Sequence, residues 1–347
     1  MFSVNDYDYY LPPELIADSA LINRTSSRLL RIDRRTGETS HHNFYEITNF
    51  LRAGDVLVLN NTKVFKARLF AKPVNRNYDK LEVILLNNLD EYRWEILLRR
   101  MRKMRIGQLF VFENNFTAIL ESKDEIKGTA IIKFNKTVSE ILALTDEFGE
   151  IPLPTYIESP KNISLEDYQT TFASIVGSVA APTAGRHFTP DLLKAISEKG
   201  VIIEYITLHV GLGTFQPIRT DDIREHEMHS ETVIVSAETA RRIRLAKLEK
   251  RRVVAVGTTV VRTLEGIFNL QGELPNNGYT GEINLYINPG FEFKVIDALV
   301  TNFHLPKTTL LVLVSTFAGR ELILKAYNEA IENRYRFYSL GDAMFIE

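Results

Sequence analysis

Two rhythms of apolar and polar positions divide this chain. From Ser27 to Asn60, alternating apolar runs around a Thr36-Gly37 turn predict two strands, then a short helix around Glu46 to Arg52 and a buried strand from Asp55 to Leu59. From about Lys63 to Phe134 the runs become short and β-rich: Phe65 to Ala71, Leu81 to Leu86, Trp94 to Leu98, Leu109 to Phe112 and Ala130 to Phe134, parted by polar turns. That spacing suits a small barrel or sandwich. The segment Ile151-Pro-Leu-Pro-Thr-Tyr-Ile157, whose two prolines exclude helix, reads as a linker back to the first rhythm.

Beyond the linker, helices and strands alternate. Thr189 and Pro190 open a helix that runs to Lys199, Gly200 closes it, and Val201 to Val210 is the next strand. Ser236 caps a helix through Leu248, whose Ile243, Leu245 and Leu248 are expected to face inward. Val253 to Val256 is a strand, Gly257-Thr-Thr259 a turn, Val260 to Phe268 a helix, and Arg320 to Asn333 a last helix. The alternation predicts an α/β fold: a mixed layered α/β core domain from residues 1–62 and 151–347, with a small β-barrel-like domain, residues 63–150, inserted.

Length agrees with that division, since 347 residues exceed one ordinary compact domain. A composition of 45% hydrophobic and 25% charged residues is that of a globular chain. The longest apolar run, Leu310 to Val314 and its neighbours, falls well short of the ~18 residues that would suggest a membrane span. The acidic, aromatic start, Met1 to Pro13, has none of the marks of a secretory signal, so a soluble cytoplasmic protein is expected. With no cysteine, thiol nucleophiles, zinc-thiolate sites and iron-sulfur clusters are excluded together. A net charge of −2 means that any RNA partner must be held by local basic patches.

The chemistry gathers in polar, glycine-bearing loops between Pro182 and Pro306. In Val253-Val-Ala-Val-Gly-Thr-Thr259, a glycine turn between a buried strand and a helix presents free amides to an anionic or polar ligand. Arg262, one turn further on, could grip a carboxylate or phosphate; the competing reading is a plain strand-to-helix connection with Arg262 in a salt bridge. The segment His209 to Gln216 has Gln216 and Pro217 where a dinucleotide turn needs glycine, which rules out a nicotinamide site. His226 and His229 are three apart rather than the four of a helical zinc protease, which favours capping or surface polarity over a metal. His187, His209, His229 and His304 lie in turn-like segments, each a candidate proton carrier or else a hydrogen-bonded structural residue. Two basic clusters stand out. Arg93, Arg99, Arg100, Arg102, Lys103 and Arg105 beside Trp94 form a credible RNA-backbone patch, whereas residues 241–252 read better as a solvated helix face.

Taken together, the segments resemble one family, the S-adenosylmethionine:tRNA ribosyltransferase-isomerases of queuosine synthesis. The likeness runs from Tyr7-Asp-Tyr and Ser27-Arg-Leu-Leu30 through Ala53-Gly-Asp-Val-Leu-Val-Leu-Asn-Asn-Thr-Lys-Val64 and Gly149-Glu-Ile-Pro-Leu-Pro154. It continues with Ala180-Ala-Pro-Thr-Ala-Gly185, His187-Phe-Thr189, Leu208-His-Val-Gly-Leu-Gly-Thr-Phe215, Met228-His-Ser-Glu231, Gly257-Thr-Thr259, Arg262-Thr-Leu-Glu265, Thr301-Asn-Phe-His-Leu-Pro306 and Gly341-Asp-Ala-Met344. The resemblance implies an α/β core with an inserted β-barrel-like domain. It also implies a substrate, tRNA with a GUN anticodon carrying 7-aminomethyl-7-deazaguanine at the wobble position. The ribosyl part of S-adenosylmethionine would be transferred to that base and isomerised to epoxyqueuosine, with release of adenine and methionine. S-adenosylmethionine is then a co-substrate, and no metal or other cofactor is expected.

On that resemblance, His209 and His229 with Glu231 are the expected acid-base group, with His187 and His304 as pocket donors. Gly257, Thr258, Thr259 and Arg262 are expected to hold the methionine or ribose end. Lys63, Lys66, Arg99, Arg100, Arg102 and Arg105 are the RNA candidates, Asp55, Asn60 and Asn61 the base or ribose contacts, and a monomer is expected. The chain departs from the family pattern at Arg186, where leucine is expected, at Val260, where serine is usual, and at Glu158, where a basic residue is usual; Leu98 to Ile106 also lacks an expected proline. Two rivals remain at this level: an RNA methyltransferase, against which stands the lack of an early glycine-rich G-x-G-x-G segment, and a non-catalytic RNA-binding module, which needs fewer loop histidines.

Overall fold

The computed structural model describes residues 2–76, 78, 80–125, 128–152, 164–211 and 217–347. In chain order its elements are β1 (Arg28–Ile32), β2 (Thr39–Asn43), β3 (Val56–Asn60), β4 (Thr62–Val64), β5 (Arg68–Pro73), β6 (Leu81–Asn88), β7 (Arg93–Leu98), β8 (Leu109–Phe112), β9 (Thr117–Asp124), β10 (Thr129–Phe134), α1 (Val138–Phe148), α2 (Leu165–Tyr168), β11 (Ile175–Ser178), α3 (Pro190–Glu198), β12 (Ile202–Leu208), β13 (Glu231–Val235), α4 (Ala237–Leu248), β14 (Val253–Val256), α5 (Thr258–Gln271), β15 (Tyr279–Ile283), β16 (Ala298–Asn302), α6 (Thr309–Ala318), α7 (Arg320–Glu332) and β17 (Ala343–Ile346). They form two compact units, one of residues 1–63, 155–175 and 181–347, the other of residues 64–154 and 176–180. The expected linker at 151–157 falls largely outside the described residues, as do Glu158 and residues 212–216.

The larger unit is built on a nine-stranded sheet in the order β15-β13-β12-β3-β14-β16-β17-β1-β2. Its middle strands β12, β3, β14 and β16 run parallel, and β17 lies antiparallel to β16 and parallel to β1. Every residue of β3, β14, β16 and β17 is buried, so these strands read as unbroken apolar runs rather than alternating ones. One face of the sheet, with Leu57, Leu59, Val254, Val256 and Val300, packs on Phe44, Ile47, Phe188, Leu192 and Ile196. Side chains alternate along a strand, so Val58 and Ala255 point to the opposite face, where α4 and α5 pack on β3, β12 and β14. This is a mixed layered α/β arrangement. Its direction has one functional consequence: the carboxyl ends of β12, β3, β14 and β16 share a rim with the first residues of β17 and β1.

Several local expectations are corrected. The short helix is a 3-10 segment, Phe44–Asn49, held by a reciprocal cap between Asn43 and Glu46. Helix α5 begins at Thr258, so only Gly257 makes the turn. On α4 the inward residues are Thr239, Ala240, Ile243 and Ala246, while Leu245 and Leu248 are exposed. That stripe still follows the helical repeat, shifted by one residue toward the small side chains that let α4 lie close to the sheet.

The smaller unit is a closed six-stranded antiparallel barrel in the order β10-β7-β6-β5-β8-β9. Alternation along its strands turns Leu69, Val83, Leu85, Ile96, Phe110, Leu120 and Ile132 inward, and closure leaves no free edge. Helix α1, which also belongs to this unit, opens with Thr137 and Glu140 capping each other's backbone amides.

Candidate active site

The chemistry in the larger unit lies on the carboxyl rim of the parallel strands, and β14 shows how the chain reaches it. Gly257 sits at φ 88°, a conformation that a residue with a Cβ rarely adopts, and its amide donates to Val300 O at 2.7 Å. The turn is thereby tied to the neighbouring strand, and α5 starts at once with Thr258 and Thr259. The amides of Thr258 and Thr259 precede any intrahelical acceptor, so the helix presents them at its positive end. These residues line a hollow of about 460 Å³, open mouth included, whose walls include Gly257, Thr258, Thr259, Thr301, Asn302 and His304. Thr183, Val210, Tyr338 and Ser339 are also among its walls.

Two asparagines that end buried strands hold these walls together. Asn60 Oδ1 accepts from Leu208 N and Thr62 N, both at 3.1 Å, while Nδ2 donates to Leu208 O at 3.0 Å and Thr259 Oγ1 at 3.3 Å. All four of its hydrogen-bonding positions are occupied, which makes it a brace between β3, β12 and α5 rather than a base contact. Asn302 Oδ1 accepts from Thr183 Oγ1 at 3.2 Å, and Nδ2 donates to Asp342 O at 3.2 Å and lies 3.3 Å from His187 Nε2. An amide nitrogen can only donate, so His187 accepts at Nε2 and carries its proton on Nδ1, which reaches Ser27 Oγ at 2.7 Å. Ser27 Oγ in turn donates to Arg24 O at 3.1 Å.

The buried histidines of the rim are neutral. Burial, reinforced by the charges of Arg186, Arg24 and Arg336, pushes His187 down to about 3, and burial alone does the same to His304, whose Nε2 is 3.0 Å from Thr301 Oγ1. His209 is lowered by burial as well, and its Nδ1 meets Thr62 Oγ1 at 2.8 Å. Each is a hydrogen-bond donor and acceptor without charge.

The expected residues divide accordingly. Gly257, Thr258, Thr259 and His304 line one hollow. His187 reaches that hollow through Asn302 and lines a second one beside it, and His209 adjoins it through Val210. His229 is exposed in the loop before β13, outside the walls of the hollow. Glu231 and Arg262 form a buried ion pair, in which Glu231 also accepts from Gly211 N at 3.2 Å and Arg262 Nε donates to Leu285 O at 3.2 Å. The salt-bridge reading of Arg262 is the one the fold adopts, and its grip is on β13. Asp55 stands on the opposite rim, holding Arg252 at 2.6 Å, and Asn61 accepts from Thr207 Oγ1 at 2.7 Å. Arg99, Arg100, Arg102 and Arg105 are all exposed on the barrel unit, with Arg100 5.3 Å over the Tyr78 ring. Lys66 donates to Asp146 O at 2.6 Å, and Lys63 is exposed. Missed from the sequence were Asn302, Thr301, Thr183 and Ser339; the available signal was a polar residue closing an otherwise apolar strand, as at Val300-Thr301-Asn302.

Among the described residues no helix is long and apolar enough to cross a membrane. A family profile described as "Queuosine biosynthesis protein" matches residues 4–346. A relative from Thermosipho melanesiensis named S-adenosylmethionine:tRNA ribosyltransferase-isomerase is 46% identical over 344 residues, covering 99% of both chains. The protein of that name from Thermotoga maritima is 44% identical over 343 residues, again 99% of both. The crystal structure of an S-adenosylmethionine tRNA ribosyltransferase from Thermotoga maritima aligns with a TM-score of 0.57 at 38% identity, covering 99% of this chain and 100% of that one. With a family match over nearly its whole length and relatives this similar across both chains, the chain belongs to the queuosine biosynthesis family of S-adenosylmethionine:tRNA ribosyltransferase-isomerases.

Proposed function

We propose that the protein transfers the ribosyl part of S-adenosylmethionine to 7-aminomethyl-7-deazaguanine at the wobble position of tRNA with a GUN anticodon and isomerises it, giving epoxyqueuosine-tRNA, adenine and methionine. The observation that carries this reading is the hollow at the start of α5, lined by Gly257, Thr258, Thr259, Thr301, Asn302 and a neutral histidine, His304. Such a wall suits a nucleoside with a sulfonium: it offers hydrogen bonds without a cation that would repel the substrate.

The chemistry follows from the sulfonium, which acidifies the neighbouring 5′ carbon. A positioned base removes a proton there, and the glycosidic electron pair leaves with adenine, which takes up a proton from a nearby donor. The amine of the modified base bonds to C1′ and gives up a proton; the C1′–O4′ bond then opens to a C1′ imine and a C4′ alkoxide, the C5′ carbanion bonds to C1′ to close the five-carbon ring, and the alkoxide displaces methionine from C5′ to close the epoxide. The sulfonium supplies both acidity and leaving group, so the reaction as proposed uses no metal and no cofactor besides its co-substrate. His209 is the base we favour, since it is neutral and less deeply buried than His187 or His304. His304 serves as the donor toward adenine, and Gly257, Thr258 and Thr259 hold the ribose or methionine end. The exposed arginines of the barrel unit bind phosphates of the anticodon arm, whose unstacked bases can be read without opening a duplex. The protein acts as a monomer in the cytoplasm.

Incubation with S-adenosylmethionine and tRNA bearing the aminomethyl base tests the reading by product analysis. Free adenine and methionine in equal amounts are expected. S-adenosylhomocysteine would reassign the protein to methyl transfer, and tRNA binding without any product would make it a binding module.

A further inference from the structure

His304 hangs from a short loop between β16 and α6, and all three residues of the Tyr7-Asp8-Tyr9 run grip that loop. Tyr7 O accepts from Lys307 N at 2.9 Å, the Asp8 carboxylate lies 2.9 Å from Lys307 Nζ, and the Tyr9 hydroxyl donates to His304 O at 2.5 Å. Ile218 N adds a bond to Lys307 O at 2.9 Å. The loop needs such anchors, because Lys307 sits at φ 57°, a left-handed conformation that is costly for a residue with a side chain.

The grip on His304 itself comes from two phenols. Its amide donates to the hydroxyl of Tyr327 on α7 at 2.9 Å, its carbonyl accepts from Tyr9, and its Nε2 lies 3.0 Å from Thr301 Oγ1. Both main-chain polar groups of a buried residue are thus satisfied by side chains drawn from the two ends of the chain rather than by a helix or a strand. The phenol rings meet edge to face, with centroids 5.2 Å apart at 82°, and Tyr327 also meets Phe303 and Phe337 at 5.3 and 5.9 Å. Burial raises the pKa of both hydroxyls above the usual tyrosine range, so they keep their protons at neutral pH.

We propose that Tyr9 and Tyr327 are positioning residues for His304: by holding its carbonyl and its amide they fix the direction of its Cα–Cβ bond, and so keep the imidazole at the wall of the hollow at the start of α5. The role rests on the reading of His304 as the donor toward adenine and deepens it. With Thr301 Oγ1 on the ring and two hydroxyls on the main chain, the imidazole has little freedom left. That restraint matters to a proton donor, for which a displacement of about 1 Å can cost about 100-fold in rate. Among the described residues that line the hollow neither tyrosine is found, so each acts on the reaction through His304.

The test compares Tyr9→Phe and Tyr327→Phe, each made in wild type and again in His304→Gln. Phenylalanine keeps the ring and removes only the hydroxyl, and melting curves confirm that each variant is folded. Tyr9 is half-buried, so Tyr9→Phe carries the test should Tyr327→Phe fail to fold. Each change is expected to lower kcat for adenine release by about tenfold, to leave KM for S-adenosylmethionine within about twofold, and to have no further effect once residue 304 is glutamine. A kcat within about twofold of wild type, or the same loss in the His304→Gln background, overturns the role. Nitrogen-15 NMR of the imidazoles reads the positioning without turnover, the His304 resonances being those missing from His304→Gln. They are expected to shift or broaden when either hydroxyl is removed, and unchanged resonances overturn the role even where kcat falls. The NMR needs no substrate, so a wild type that releases no adenine sinks the proposed function while the hold on His304 is still decided.

Discussion

The two rims of the large sheet are made by the same strands, yet they handle polar groups in opposite ways. On the amino rim, charges cancel in pairs: Arg252 holds Asp55 at 2.6 Å and Glu347 at 2.5 Å, Arg31 Nε holds Glu347 at 2.8 Å, and Lys247 holds Asp297 at 2.7 Å. Asp297 also accepts from Val253 N at 2.8 Å, so the network pins the start of β14. The carboxyl rim instead carries threonines, asparagines and neutral histidines around a hollow, and a deeply buried ion pair there, Glu231 with Arg262, ties β13 to α5. Saturated charge marks where the fold is fastened; uncharged hydrogen-bonding capacity facing space marks where a ligand fits. The comparison also sorts the basic helix: Arg241 and Arg242 on α4 pair with Glu238 and Glu204, which leaves them a structural surface.

The largest effect that can break this contrast is Arg262→Leu. Leaving Glu231 buried without its partner should cost about 3 to 5 kcal/mol in denaturant unfolding, and a loss under about 1 kcal/mol would return Arg262 to the pool of ligand-binding residues. Next comes His304→Gln, for which kcat for adenine release should fall by about 100-fold while the unfolding midpoint moves little. A kcat within threefold of wild type would remove His304 from the chemistry. Asp55→Ala, on the other rim, should lower stability by about 2 kcal/mol through Arg252 and leave adenine release per folded molecule unchanged; a selective loss of tRNA turnover would reinstate it as a base contact.

The smallest test is pH. His187 and His304 titrate near 3 when folded against 6.5 when free, so the unfolded chain binds more protons between those values. Stability should therefore fall as pH drops from about 6.5 toward 3, each histidine adding about 1.4 kcal/mol per unit, and level off below. Comparing unfolding free energies at pH 7, 6 and 5 for wild type and His304→Gln should show a shallower slope in the variant. Equal slopes would mean that His304 is not held neutral.

What could be read in advance depended on whether the signal was local. Gly257-Thr258-Thr259 was legible because a glycine between an apolar run and a helical run has few other uses, and the short β-rich runs from Leu81 to Phe134 announced the barrel. Helix α1 was overlooked although Thr137 and Glu140 carry its capping signature. Helix α6 went unrecognised because its residues are buried almost all round, so no polar face marks the helical repeat. The site was harder. Whether His229 is exposed and whether Arg262 finds Glu231 depend on how β13 pairs with its neighbours, which no window around either residue contains. Asn60 was expected as a base or ribose contact and Asn302 was given no role, and their places as braces appear only once β12, α5 and residue 342 surround them.

Strand β17 has a consequence for how the molecule is made. It is wedged between β16 and β1, so among the described residues the hairpin of β1 and β2 joins the rest of the sheet through a strand far later in the chain, as in the Arg28 to Asp342 hydrogen bond across 314 positions. A ribosome must deliver the 314 positions from Arg28 to Asp342 before β1 finds its permanent inner neighbour. Pairings so distant in sequence close slowly, and until that moment Leu29 and Leu30 wait with no inner edge to lean on, a long exposure for residues that end wholly out of water.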